Sequence, residues 1–92
     1  AGVKLNEQTK SGHTPLILAA RKNAYKVVET LLRFGADAGI AGGFGATALH
    51  EAVLSGSLSC VEALLKHDKK LATARDDDGL TPLHCVVTAV RK

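Results

Sequence analysis

Aromatic side chains are scarce in this 92-residue chain: Tyr25, Phe34 and Phe44 are the whole supply. Apolar residues still make up 46%, so a core must be built from Leu, Val and Ala. Small side chains suit thin helices that approach one another closely, and a chain of this length allows one small domain. The same scarcity works against direct nucleic-acid binding, which wants basic residues interleaved with stacking aromatics or a groove-reading helix. Long apolar runs are missing too. None approaches the ~18 residues of a membrane-spanning helix, and no Asn-x-Ser/Thr glycosylation acceptor occurs. No charged-then-apolar leader and no lipidation motif is found. Cysteine is limited to Cys60 and Cys85, without C-x-x-C spacing, which works against a zinc site. Both are expected on core faces, and buried thiols point to a reducing compartment, cytosol or nucleus. Formal net charge is only +3, from 12 basic and 9 acidic residues, a balance that supports solubility and names no partner.

What is present is repetition. Gly12-His13-Thr14-Pro15-Leu16-Ile17-Leu18-Ala19-Ala20 returns as Gly45-Ala46-Thr47-Ala48-Leu49-His50-Glu51-Ala52-Val53. It returns again as Gly79-Leu80-Thr81-Pro82-Leu83-His84-Cys85-Val86-Val87. Thr14 and Thr47 are 33 residues apart, and Thr47 and Thr81 are 34 apart. In each copy a Gly permits a turn with positive φ. A Thr offers an N-cap oxygen. Pro, in two copies, suits the first helical position. A second echo pairs Val27, Val28, Leu31 and Leu32 with Cys60, Val61, Leu64 and Leu65. Such spacing marks one side of a helix. Each unit therefore reads as turn, inner helix, short link, outer helix, then a loop to the next turn. Self-similarity at this period is the signature of a stacked array.

The Thr-Pro-Leu-His signature, the later Leu-Leu pair and Gly35-Ala36-Asp37 resemble the ankyrin repeat, over essentially the whole chain. The resemblance implies an all-α solenoid of helix-turn-helix units joined by β-hairpin turns. Some positions depart from the family pattern. Ile17 stands in place of His, Ala48 in place of Pro, Asn23 and Asp68 in place of Gly, and one extra residue lengthens the loop between Lys66 and Asp76.

On this reading residues 1–8 form the tail of a preceding unit, 9–41 and 42–75 are two units, and 76–92 is a partial one. The inner helices are expected at about 15–22, 48–55 and 82–90, and the outer helices at 25–34 and 58–66. The chain is expected to be a piece of a longer array. Without polar end caps it is expected to be marginally stable, or to self-associate through its exposed ends.

Catalytic and metal chemistry is not indicated. The glycines between residues 35 and 45 lack the Lys-Ser/Thr that a phosphate-binding loop needs, since Ala46-Thr47 follows Gly45. Asp76-Asp77-Asp78 lacks the alternating acids and closing Glu of a Ca²⁺ loop. His50 and His84 occupy the signature position, where the resemblance implies a structural side chain bonded to the neighbouring turn. No paired carboxylates stand in a pocket-forming context. The clusters Arg21-Lys22-Lys26 and Lys66-Lys69-Lys70 read as solvated helix faces. No enzyme and no cofactor are expected.

The resemblance implies protein binding on a concave edge made of turn tips and inner helices, and stacked units line the same positions up side by side. Carried onto this chain, the first tip offers Lys10, Ser11 and His13. The second offers Gly43, Phe44 and Ala46, and the third Asp77, Asp78 and Leu80. The inner helices add Arg21 and Lys22, Leu54 and Ser55, then Thr88 and Ala89. Phe44 has two readings: it folds down onto its own hairpin, or it anchors a partner beside Leu54 and Leu80. The alternative to a partner-binding role is a spacer within a longer array, or the targeting arm of a larger enzyme or channel. Asn6 stands where many units of the family carry an Asn that can be hydroxylated.

Overall fold

The computed structural model describes residues 5–84. Two antiparallel helical pairs are stacked on one another. The first pair is α1 (Pro15–Arg21) and α2 (Tyr25–Arg33), and the second is α3 (Ala48–Leu54) and α4 (Leu58–His67). Helix α1 packs on α2 and on α3, and α2 packs on α4. The expected all-α architecture holds, and no strand occurs among the described residues.

The turns close as the Gly spacing predicts. In each, two backbone hydrogen bonds are made: Gly12 N to Thr9 O and Thr9 N to His13 O in the first, with Gly45, Gly42 and Ala46, then Gly79, Asp76 and Leu80, repeating them. Gly12, Gly45 and Gly79 have φ of 85°, 73° and 78°. Each turn is therefore a single closed loop, with too few residues on either side to count as a ladder.

The inner helices begin where their caps predict. Thr14 is extended, its Oγ1 accepts from Ile17 N at 3.2 Å, and Pro15 needs no donor there. Thr47 caps α3 in the same way even though Ala48 has replaced Pro, because His50 Nδ1 accepts from Thr47 N at 3.2 Å and completes a capping box. Between the helices Asn23 adopts φ 59° and Gly56 φ 72°. Asn tolerates this left-handed geometry better than other side chains, so the link survives the loss of Gly.

The core is Leu16, Ile17, Ala20, Val28, Leu49, Ala52, Cys60 and Leu64, all essentially inaccessible to solvent, together with neighbouring alanines. Each large side chain contributes roughly 1.5–3 kcal/mol of burial. The echo in the outer helices is only half realised. Val27 is 50% exposed while Cys60, its counterpart, is fully buried. The buried positions are Val28 and Leu32 in α2 but Cys60 and Leu64 in α4, one residue out of step with the 33-residue echo.

The links carry more order than expected. Ser55 Oγ and Ser57 Oγ lie 3.2 and 3.3 Å from Ala20 O and 2.8 Å from each other, a cluster that ties the second link to the end of α1. That carbonyl lies in the last turn of α1 and also accepts from Asn23 N at 3.2 Å. Asp68, in place of Gly, opens a 3-10 helix at Lys69–Thr73 by accepting from Lys70 N at 2.9 Å, and Leu71 is buried beneath it. Asn6 Oδ1 accepts from Asp37 N at 2.8 Å, and Gln8 Nε2 donates to Gly12 O and Ala41 O. Asn6→Ala is expected to lower stability by about 1 kcal/mol in a thermal melt, the worth of one hydrogen bond at a solvated site. On the far side of the second pair lies an apolar groove of about 520 Å³ flanked by Val53, Val61, Leu65 and Leu83. The expected third inner helix begins there at Pro82; its remainder, with Thr88, Ala89 and Cys85, falls outside the described residues.

Cys60 is the free thiol within the described range, and burial pushes its pKa up. Its labelling by a thiol reagent is expected to follow global unfolding, measured in a Cys85→Ser background. Labelling that outpaces unfolding would contradict its place in the core.

Candidate functional site

The tips of the three turns and the ends of α1 and α3 form one edge. Neighbouring tips touch through backbone. A Cβ on Gly43 would stand 3.1 Å from Ser11 O, and Asp77 N donates to Phe44 O at 2.8 Å. In the first seam Gly42 stands against Gly12 O, the His13 ring and Ile17 Cδ1, and Gln8 Nε2 bridges Gly12 O and Ala41 O. In the second, His50 Nε2 lies 2.8 Å from Leu80 O. A backbone N–H only donates and a carbonyl only accepts, so His50 Nδ1 is the acceptor and Nε2 carries the proton. His50 is wholly buried and its role is structural, as expected. His84 Nδ1 likewise contacts Thr81 N and Oγ1.

Of the residues expected on the edge, Lys10, Ser11, Lys22, Phe44, Leu54, Asp77 and Asp78 are exposed. Ala46 is a correction. It is buried, and its carbonyl closes the turn by accepting from Gly42 N, so its side chain has no outward face. Leu80 is half-buried with its carbonyl given to His50. Ser55 is exposed as well, and its hydroxyl lies 3.2 Å from both Ala20 O and Ala52 O. His13 is half-buried, and its Nε2 accepts from Arg21 Nη2 at 2.9 Å, since a guanidinium cannot accept.

Arg21 is engaged twice over. Besides His13 it reaches Glu51, with Nη2 to Oε2 at 3.2 Å and Nε to Oε1 at 3.4 Å. The Arg21 side chain is 44% exposed, so the pair contributes under about 1 kcal/mol and chiefly fixes α1 against α3. Glu51 was not among the residues expected here. The signal for it was a charge of opposite sign one turn before Leu54, the counterpart of Arg21 in the next unit.

Phe44 is 86% exposed, so it does not fold down onto its own hairpin. Its φ of 59° lies in the left-handed region, which costs a bulky residue about 1–2 kcal/mol. The ring is thus presented to solvent from a strained backbone between two glycines. Leu54 adds a second exposed apolar side chain, at 52%. Among the described residues no group of three or more His, Cys, Asp or Glu is placed to hold a metal ion, and no helix is long and apolar enough to cross a membrane.

The family description "Ankyrin repeats (3 copies)" matches residues 32–91, and "Ankyrin repeats (many copies)" matches residues 2–52. Rabankyrin-5 of Mus musculus is 34% identical over 89% of this chain and 7% of its own length. NF-kappa-B inhibitor delta of Mus musculus is 36% identical over 95% of this chain and 27% of its own. Neurogenic locus notch homolog protein 1 of Cricetulus griseus is 39% identical over 89% of this chain, and the chain spans 3% of it. The chain thus covers a small part of each relative. Ankyrin repeats are generally protein–protein interaction modules. From stacked helical pairs, Gly-closed turns and these matches together, the chain belongs to the ankyrin-repeat family.

Proposed function

We propose that this chain is a non-catalytic protein-binding module that grips its partner on the edge formed by the turn tips and the inner helices. The carrying observation is Phe44, whose ring is exposed on a strained turn and gains little packing there. Strain in native structures gathers at working sites, and exposed aromatics anchor interfaces. Leu54 supplies adjoining apolar surface, while Lys10, Ser11, Lys22, Asp77 and Asp78 supply a polar rim. The two-unit division at about residues 42 and 76 belongs to this reading. So does a place within a longer intracellular scaffold or regulatory protein, in keeping with a relative whose name is NF-kappa-B inhibitor delta.

The test is direct binding of a captured and purified partner, measured calorimetrically with the wild-type chain and with Phe44→Ala. An anchor of this kind is expected to cost at least about 2 kcal/mol of binding, roughly thirtyfold in Kd, at an unchanged melting temperature. Undiminished binding by the variant would overturn the reading.

A further inference from the structure

Along the binding edge the exposed side chains change sign. The first unit offers Lys10 and Lys22, the second Phe44 and Leu54, and the third turn Asp77 and Asp78, which outnumber Arg75, its guanidinium held on Gly79 O. Arg21 is taken by Glu51, but these other charges enter no ion pair among the described residues. We infer that the edge selects an extended polypeptide segment carrying an acidic residue over the first tip, an apolar residue at Phe44 and a basic residue over the third tip. The inference rests on the anchoring role proposed for Phe44.

Spacing follows from backbone geometry. Each hairpin tip is two chain widths across, and adjacent extended chains lie about 4.8 Å apart, so tips recur about every 10 Å. The 2.8 Å bond from Asp77 N to Phe44 O holds the second and third tips at that closeness. An extended segment advances about 3.3 Å per residue, so about three residues pass each tip. The outer two tips are then about 20 Å apart, beyond the ~8 Å screening length of physiological salt. Each charged end therefore attracts its own counterpart, and the two do not cancel. Nucleic acid and anionic membrane fit poorly, because their uniform negative charge would meet Asp77 and Asp78 at one end. Electrostatic order of this kind acts mainly on register and association rate.

The experiment is selection of displayed random peptides of about twelve residues on the immobilised full chain, long enough to cross three tips. Enriched peptides are expected to carry an acid, an apolar residue and a base in spatial order, about three residues apart. Affinity of the best synthetic peptide, read by fluorescence polarisation, is expected to fall about tenfold with Lys10→Glu or with Asp77→Lys/Asp78→Lys, and to weaken in about 0.5 M salt. The doubly substituted chain is expected to select acids at both ends. Each variant is checked by a thermal melt. Peptides lost with Phe44→Ala but lacking the charge order would overturn this inference and leave the binding edge standing. Peptides indifferent to Phe44→Ala would overturn both. Failure to enrich any peptide would overturn the inference for extended segments.

Discussion

His50→Ala is expected to lower the stability of the fold by about 3 kcal/mol, a fall of roughly 15 °C in Tm for a domain of this size. Three losses combine. The buried ring leaves a cavity. Leu80 O loses its donor at 2.8 Å, and Thr47 N loses its acceptor at 3.2 Å. An unsatisfied polar group at a covered seam costs about 1–3 kcal/mol by itself. The effect should reach beyond α3, because His50 joins the second unit to the third turn. His50→Leu refills the volume without restoring the bonds, so it should recover only part of the loss. A change below about 1 kcal/mol in the alanine variant would show that the seam is held by something else.

Gly45→Ala is the second large effect, at about 2–4 kcal/mol. Gly45 has φ 73°, where an L side chain is strained. The added Cβ would also stand 2.7 Å from Asp77 N and 3.1 Å from Asp76 C. Those are backbone atoms, so relief requires the third tip to move away. That motion breaks the bond between Asp77 N and Phe44 O. Gly35→Ala is the control: its φ is 95°, yet nothing lies within 4 Å of the added Cβ. It carries the conformational cost without the clash, and should cost only about 1 kcal/mol. Equal losses at the two positions, measured by denaturant titration, would remove the contact between tips from the explanation.

These two sites show what the amino-acid order discloses. The period of 33 to 34 residues marks His50 and Gly45 directly, because each recurs with its neighbours at the same offset. Caps are legible for the same reason, since Thr14, Thr47 and Thr81 act on backbone only three residues away. Contacts set by packing between units are harder to read. Nothing local to Val27 shows that it is half exposed while Cys60, its counterpart 33 residues on, is fully buried. Arg21 looked free for a partner because Glu51 lies 30 residues on, and only the crossing of α1 and α3 brings them together. Ala46 was misplaced because residues on a closed turn alternate between facing in and facing out, and the turn's register became visible only from its hydrogen bonds. Asp68, seen as a lost glycine, turned out to start the 3-10 helix that buries Leu71.

On the proposed binding role, Phe44 is held out at a conformational cost for the sake of a partner. Its most direct test is Phe44→Gly, with thermal stability and affinity measured on the same preparation. Glycine relieves the left-handed strain, and an 86% exposed ring has little packing to lose. A gain of about 0.5–1 kcal/mol in stability is expected together with at least a thirtyfold loss in affinity. A variant that melts lower and binds as tightly as the wild type would contradict it.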